Sequence, residues 1–279
     1  MSDDNVEQKE FWEELLGPRW LARVEAMDRC YAPMLDHLLA AAALKPGMRV
    51  LDIGCGPGVS TFAAADIVGP EGHVTGADIS RLFVEAAEAR ATSHPNVSFV
   101  LADAQSDPLE GAPFDALISR LGMMFFADPR AALAHLRSQM APGARATFIC
   151  WDARHLNPWF NIPFEAAAAR FGQPPRPDDP FAPGPFAFRK AERVTDLLAE
   201  AGWSDPRAEE ARMTFPLDHL GDARGAAGLI TEFGPAKTVV EAGGGTIDDL
   251  PAVAADVAQR LEGQPLALDG QLILYSAVA

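Results

Sequence analysis

The sequence predicts an α/β protein built on a doubly wound, mostly parallel sheet. Three observations carry that expectation. Short apolar runs alternate with helical patterns from residue 48 to residue 151. The first run ends in Gly54-Cys55-Gly56-Pro57-Gly58, a backbone bare enough to turn sharply and to let a ligand lie against it. The second run ends in a carboxylate, Asp78, at the carboxyl edge of the sheet, where open α/β folds bind ligands.

Residues 8–44 read as helical. Phe11, Trp12, Leu15 and Leu16, then Tyr31, Met34, Leu35 and Leu38, recur at three-to-four spacing, and Lys45-Pro46-Gly47 ends the stretch. The first strand is expected over 48–53 and the first helix over 60–68. A second strand follows over 73–77, with Ser80 as N-cap of a helix over 81–92. The third and fourth strands fall at 97–102 and 114–119. Asp128-Pro129 supplies a cap and a first-turn proline for a helix running to 140. Pro142-Gly143 reads as a turn before a fifth strand over 144–151.

After Trp151 the rhythm changes. Residues 171–187, rich in proline, glycine and phenylalanine, read as a long ordered loop. A helix over 191–201 stops at Gly202, and a sixth strand is expected over 208–217. Residues 218–264 read as cap helices around Gly243-Gly244-Gly245. Residues 266–278 read as a strand pair or hairpin-like ending, with Asp269-Gly270 as its turn. The organisation expected is therefore an N-terminal helical region covering the site (1–45), a nucleoside-binding core (46–152), a segment completing the sheet (153–217), a substrate cap (218–265) and a last strand (266–279).

The 279 residues suffice for one sizeable core, or for a core with a smaller cap. Their formal net charge of −16 repels phosphate backbones and anionic lipid, which makes nucleic acid and membrane surfaces poor partners; added solubility is the plainer explanation of the same charge. Cys30, Cys55 and Cys150 have no metal-like spacing, and an odd number argues against a disulfide framework. Met1-Ser2-Asp3-Asp4 is acidic and opens no signal-peptide pattern, and no apolar run approaches a membrane span, so a cytoplasmic protein is expected. The partner expected is a small-molecule substrate, and a homodimer stays open.

Three nucleotide-binding readings compete for the glycine loop. A phosphate loop requires Gly-Lys-Ser/Thr, which does not follow. A dinucleotide fingerprint requires its third glycine where Val59 stands; here it comes one residue early, at Gly58. The Gly-x-Gly-x-Gly spacing suits a cofactor whose amino-acid part touches the turn. Asp52, just before the loop, suits an ammonium or a sulfonium rather than a pyrophosphate.

The run Val50-Leu51-Asp52-Ile53-Gly54-Cys55-Gly56-Pro57-Gly58 resembles motif I of the class I S-adenosylmethionine-dependent methyltransferases. The resemblance continues through Gly76-Ala77-Asp78-Ile79-Ser80, Leu101-Ala102-Asp103-Ala104, 114–119 and Ala141-Pro142-Gly143-Ala144, in the family's order over roughly residues 46–152. It is strongest to the ubiquinone/menaquinone-biosynthesis-like, type 11, small-molecule enzymes. The resemblance implies a Rossmann-like seven-stranded sheet with N-terminal helices and a helical cap. It implies S-adenosylmethionine as cofactor, S-adenosylhomocysteine as product, and no metal. The backbone of Gly54, Cys55 and Gly56 would pass under the methionine part, and Asp52 and Gly58 would also be among the cofactor-binding residues. Asp78 would accept both ribose hydroxyls. Ile79 would be among the cofactor-binding residues, Phe83 would pack on the adenine face, and Asp103 with the amide of Ala104 would hold the adenine edge. Ser119 and Arg120 would border the transferred methyl.

Methyl transfer from a sulfonium needs alignment more than acid–base chemistry, so no catalytic triad is required and none is seen. His155, just after the fifth strand, is the candidate base, and Arg120 is the candidate grip for a substrate carboxylate. His135 reads as a solvated helix residue and His73 as a strand residue without a partner. No Asn/Asp-Pro-Pro-Tyr/Phe follows the fourth strand, and no carboxylate cluster suggests magnesium. Leu121-Gly122-Met123-Met124-Phe125-Phe126, with Trp151, Trp159, Phe160 and the phenylalanines at 181, 186 and 188, favours a small, partly apolar acceptor. A non-catalytic cofactor-binding sensor or partner subunit, and a nicotinamide-dependent oxidoreductase, are the alternatives.

Overall fold

The computed structural model describes residues 5–175, 177 and 179–279. Among these, β1 (Arg49–Ile53), β2 (His73–Asp78), β3 (Val97–Leu101), β4 (Phe114–Arg120), β5 (Met140–Trp151), β6 (Ser204–Pro216) and β7 (Ala267–Val278) form one sheet. Its order is β3-β2-β1-β4-β5-β7-β6. The first five strands are parallel, and β7 runs antiparallel to β5, from Arg145↔Val278 to Trp151↔Leu272. The strand order reverses between β1 and β4, which places the carboxyl end of β1 at the switch point where such sheets take ligands.

The N-terminal stretch is helical but broken. It comprises α1 (Val6–Glu10), a π-helical turn (Phe11–Leu15), α2 (Gly17–Ala22), α3 (Val24–Cys30) and α4 (Ala32–Ala42). Then come α5 (Val59–Val68), α6 (Arg81–Arg90) and α7 (Pro129–Ser138), each joining one parallel strand to another. The caps read from sequence are made. Ser80 Oγ accepts from Phe83 N and Asp128 Oδ1 from Ala131 N, each satisfying an otherwise orphan first-turn donor. Ala64, Ala65 and Val68 of α5 pack with Val50, Val74, Ala116 and Ile118 of the sheet and with Ala42 and Leu44. That packing fixes where the loop between β1 and α5 must lie.

The contacts divide the chain into two units: Met1–Trp151 with Phe181–Ala211 and Leu272–Ala279, and Asp152–Pro180 with Arg212–Gln271. The first contains the parallel strands, α1–α7 and α9 (Ala191–Glu200). The second is mainly helical, with α8 (Pro158–Phe171) packed against α10 (Ala223–Phe233), α11 (Ala236–Ala242) and α12 (Leu250–Leu261). Of the segment 153–217 expected to complete the sheet, the part up to Pro180 goes with the cap helices. Among the described residues no helix is long and apolar enough to cross a membrane.

Two expectations are corrected. Pro142-Gly143 does not end a helix-to-strand turn. β5 already starts at Met140 and absorbs the pair in a register shift opposite Phe114 and Ala116, with Gly143 at φ 81°. The ending is one strand rather than a hairpin: Asp269-Gly270 lies inside β7, and Gly270 is bare because a Cβ there would stand 2.5 Å from Phe215 Cε2. The expected loop over 171–187 includes Arg176 and Asp178, and the N-terminal region includes residues 1–4; these lie outside the described residues.

Candidate functional site

Gly54, Gly56 and Gly58 all have positive φ, at 64°, 54° and 90°, a region that side-chain-bearing residues enter only with strain. Their surroundings differ. A Cβ on Gly54 would stand 2.7 Å from Gly122 Cα, where the loop after β4 crosses the loop after β1. One on Gly58 would meet the Phe62 and Phe99 rings at 2.9–3.1 Å. One on Gly56 would meet nothing within 4 Å. Thus internal packing alone accounts for the missing side chains at Gly54 and Gly58. Gly56 alone offers bare main chain to open space.

The loop is tied to the tip of β2. Gly54 N and Cys55 N both donate to Ala77 O, and Gly56 N donates to Asp78 Oδ2 at 2.8 Å. Asp78 Oδ1 accepts from Ser80 N at 2.9 Å. Burial pushes the Asp78 carboxyl up to about 6, against the lowering pull of the Ser80, Gly56 and Ile79 amides. Asp52 is fully buried and accepts Ser60 Oγ at 2.7 Å and Thr61 Oγ1 at 2.8 Å, both on Oδ2. Burial raises its carboxyl to about 6 as well; the two hydroxyls and the Arg120 charge oppose this, and the Asp78 charge adds to it. Cys55 is buried and its thiol is pushed well up, chiefly by desolvation, so it is a compact filler rather than a nucleophile.

At the end of β3, Asp103 and Ala104 are buried. Both Asp103 oxygens accept from Asn5 Nδ2 at 2.9 Å, and Oδ1 also accepts from Gln105 N. Asn5 Oδ1 in turn accepts from Ala127 N. Phe83 is buried against Trp12, with ring centroids 5.8 Å apart, and Trp12 also meets Phe125 edge-on at 5.1 Å. Ile79 is half-buried. Ser119 has its hydroxyl engaged inside the fold, donating to Ile53 O at 2.7 Å and accepting from Gly122 N. Its hydroxyl braces the Gly54–Gly122 crossing.

Arg120, at the carboxyl end of β4, is buried; its Nη2 lies 3.7 Å from Asp28 Oδ1 and its guanidinium 6.0 Å from the centre of the Tyr31 ring. Arg120 Nη1 and Asp52 Oδ1 are both buried without a hydrogen-bond partner. His155 is exposed on a short helical turn (Arg154–Leu156) in the second unit, the setting of a surface histidine. His73 and His135 have partners the sequence did not reveal: His73 Nε2 pairs with Ser98 Oγ, and the half-buried His135 with Asp107 O. Among the described residues no group of three or more His, Cys, Asp or Glu is gathered as metal ligands would be. The sequence gives Asn5, Trp12 and Asp28 no role at the site; each acts on residues between 62 and 122 positions away, and no local pattern marks such a contact.

The fold and this cradle define a nucleoside-cofactor-binding α/β protein of the doubly wound type. Residues 44–160 match the sequence family described as a methyltransferase domain. The chain is 34% identical over 177 residues to the demethylmenaquinone methyltransferase of Staphylococcus aureus (strain JH9), covering 62% of this chain and 67% of that protein. It is 34% identical over 120 residues to the aklanonic acid methyltransferase DauC of Streptomyces sp. (strain C5), 42% of this chain and 54% of that one. Among solved structures, the YcgJ protein of Bacillus subtilis shares the fold at a TM-score of 0.55 and 18% identity, over 88% of this chain and 97% of that one. The chain spans between 35% and 67% of the length of the curated methyltransferases above and of one further curated relative. It belongs to the class I S-adenosylmethionine-dependent methyltransferases, of the type 11 kind.

Proposed function

We propose that this chain transfers the methyl group of S-adenosylmethionine to a small, partly apolar acceptor. The observation that carries the reading is the open, side-chain-free main chain at Gly56, bonded directly to the Asp78 carboxylate at the neighbouring strand tip. The residues fit such a cofactor. Asp78 has acceptor capacity beyond the amides it already accepts from, which suits a ribose diol. Asp103 and the Ala104 amide suit an adenine edge, with Phe83 and Ile79 for its face. Gly56 and Cys55 suit the amino-acid part, and no phosphate-binding sequence is present.

When bound, the cofactor supplies a methyl group on a positively charged sulfur, a leaving group that needs no proton. The chain's own contribution is then to hold, align and keep water out. Alignment alone supplies roughly 7–11 kcal/mol in favourable cases. The Gly54–Gly122 crossing, braced by Ser119, fixes the loop after β4 against the loop after β1, so the two edges that flank the cradle move together. The aromatic layer of Trp12, Phe83 and Phe125 excludes water from the nucleoside side. His155 is the candidate base if the acceptor must lose a proton early, and its exposure gives that role no support. Two relatives are named for demethylmenaquinone and aklanonic acid as acceptors, which supports a small organic acceptor here.

A thermal-shift comparison tests the reading, since a ligand that binds only the native state raises its melting temperature. S-adenosylhomocysteine should stabilise the protein and NADH should not. Stabilisation by NADH alone would overturn the assignment, and a methylated product formed from S-adenosylmethionine would separate an enzyme from a sensor.

A further inference from the structure

Arg120 lies two residues beyond Ile118, the register partner of Asp52, just as Gly54 lies two residues beyond Asp52. It therefore stands at the glycine-loop end of β4. One arm of its guanidinium faces Asp28 Oδ1. The other Asp28 oxygen takes Arg90 Nη2 at 3.0 Å, and Arg90 Nη1 donates to Pro57 O in the glycine loop at 2.8 Å. Asp28 thus holds two arginines, one gripping the loop and one placed beside it. The remaining arm, Arg120 Nη1, is buried and lacks an acceptor. A buried guanidinium N–H without an acceptor is costly, which leaves that arm waiting for an anion. Asp52 Oδ1 is the complementary orphan, an acceptor without a donor, within electrostatic range of Arg120. One buried cationic donor and one buried anionic acceptor at the same strand ends match the two charges of an α-amino acid.

Building on the cofactor reading above, we propose that Arg120 Nη1 binds the α-carboxylate of the cofactor's amino-acid end, and that Asp28 is the positioning residue that holds the guanidinium for it. Arg120 is thereby assigned to the cofactor and not to the acceptor.

Calorimetric titration with S-adenosylhomocysteine and with its decarboxylated analogue, which keeps the nucleoside, the thioether and the amine, tests this. Wild type should prefer S-adenosylhomocysteine by tenfold or more. Arg120→Met should lose that preference by weakening S-adenosylhomocysteine alone, and Arg120→Lys should recover part of it. Asp28→Asn, which leaves every strand residue in place, should reduce the preference by weakening S-adenosylhomocysteine more than the analogue; this reads the proposal even if Arg120→Met does not fold. An unchanged preference in these variants, or equal losses for both molecules, would overturn the proposal and return Arg120 to the acceptor or to the fold. Wild type binding neither molecule would instead overturn the cofactor reading beneath it.

Discussion

Gly56 N donates to Asp78 Oδ2 across 2.8 Å, so the bare turn after β1 and the carboxylate at the tip of β2 are one unit. The same carboxylate also orders Ser80, the cap of α6. Asp78 is therefore placed to shape the cradle and to meet a ligand in it.

Asp78→Ala should weaken S-adenosylhomocysteine binding by tenfold or more. Hydrogen bonds to a charged acceptor contribute roughly 1.5–3 kcal/mol each, and the substitution also frees the Gly56 amide. Calorimetric affinity equal to wild type would remove the ribose role.

The three loop glycines should separate by alanine substitution. Gly56→Ala adds a Cβ to open space and carries mainly the strain of its positive φ, about 1–2 kcal/mol. It should stay folded and bind S-adenosylhomocysteine at least tenfold more weakly. Gly54→Ala and Gly58→Ala add that strain to collisions with Gly122 Cα and with the Phe62 and Phe99 rings, so their melting temperatures should fall further. Equal melting temperatures across the three would contradict the assignment of packing and ligand roles.

Asp52 and Asp78 both titrate near 6 in the folded chain, above the ordinary 3.8. A raised carboxyl favours folding while protonated. The contribution is complete below about 4 and is lost as pH rises through about 6, with an upper bound near 3 kcal/mol per group. In Asp52→Asn the part due to Asp52 should vanish, flattening the melting-temperature profile between pH 4 and 7; an unaltered profile would show that Asp52 does not titrate there. Ligand affinity should run oppositely, falling below pH 6 as Asp78 loses the charge that accepts hydroxyls.

Asn5 bridges Asp103 and the Ala127 amide. Asn5→Ala should cost about 1–3 kcal/mol in urea denaturation, because it strips a donor from a buried carboxylate. Asn5→Asp should cost more, since it sets a like charge against Asp103. Wild-type stability in Asn5→Asp would contradict the contact.

Much of this was legible in the sequence because its determinants are local. The apolar run before Gly54, the Ser80 and Asp128 caps and the carboxylate at Asp78 each announce themselves within a few residues. What was missed depends on distant partners. Gly270 resembles a hairpin glycine until Phe215 is seen to occupy its Cβ space. Pro142-Gly143 resembles a turn until its register opposite β4 is known. Gly54 reads as a turn glycine until Gly122 is placed against it. The helix over Pro158–Phe171 carries Pro163 in its interior, which hides its periodicity. Ser119 and Arg120 were located correctly at a strand end, but the hydroxyl's engagement with Ile53 O and the guanidinium's with Asp28 come from other elements.

A crystal structure of the protein with S-adenosylhomocysteine tests the central claim most directly. The account predicts the ribose hydroxyls on Asp78 and the thioether chain in van der Waals contact with the main chain at Gly56. A ligand bound elsewhere, with the space beside Gly56 filled by side chains, would contradict it.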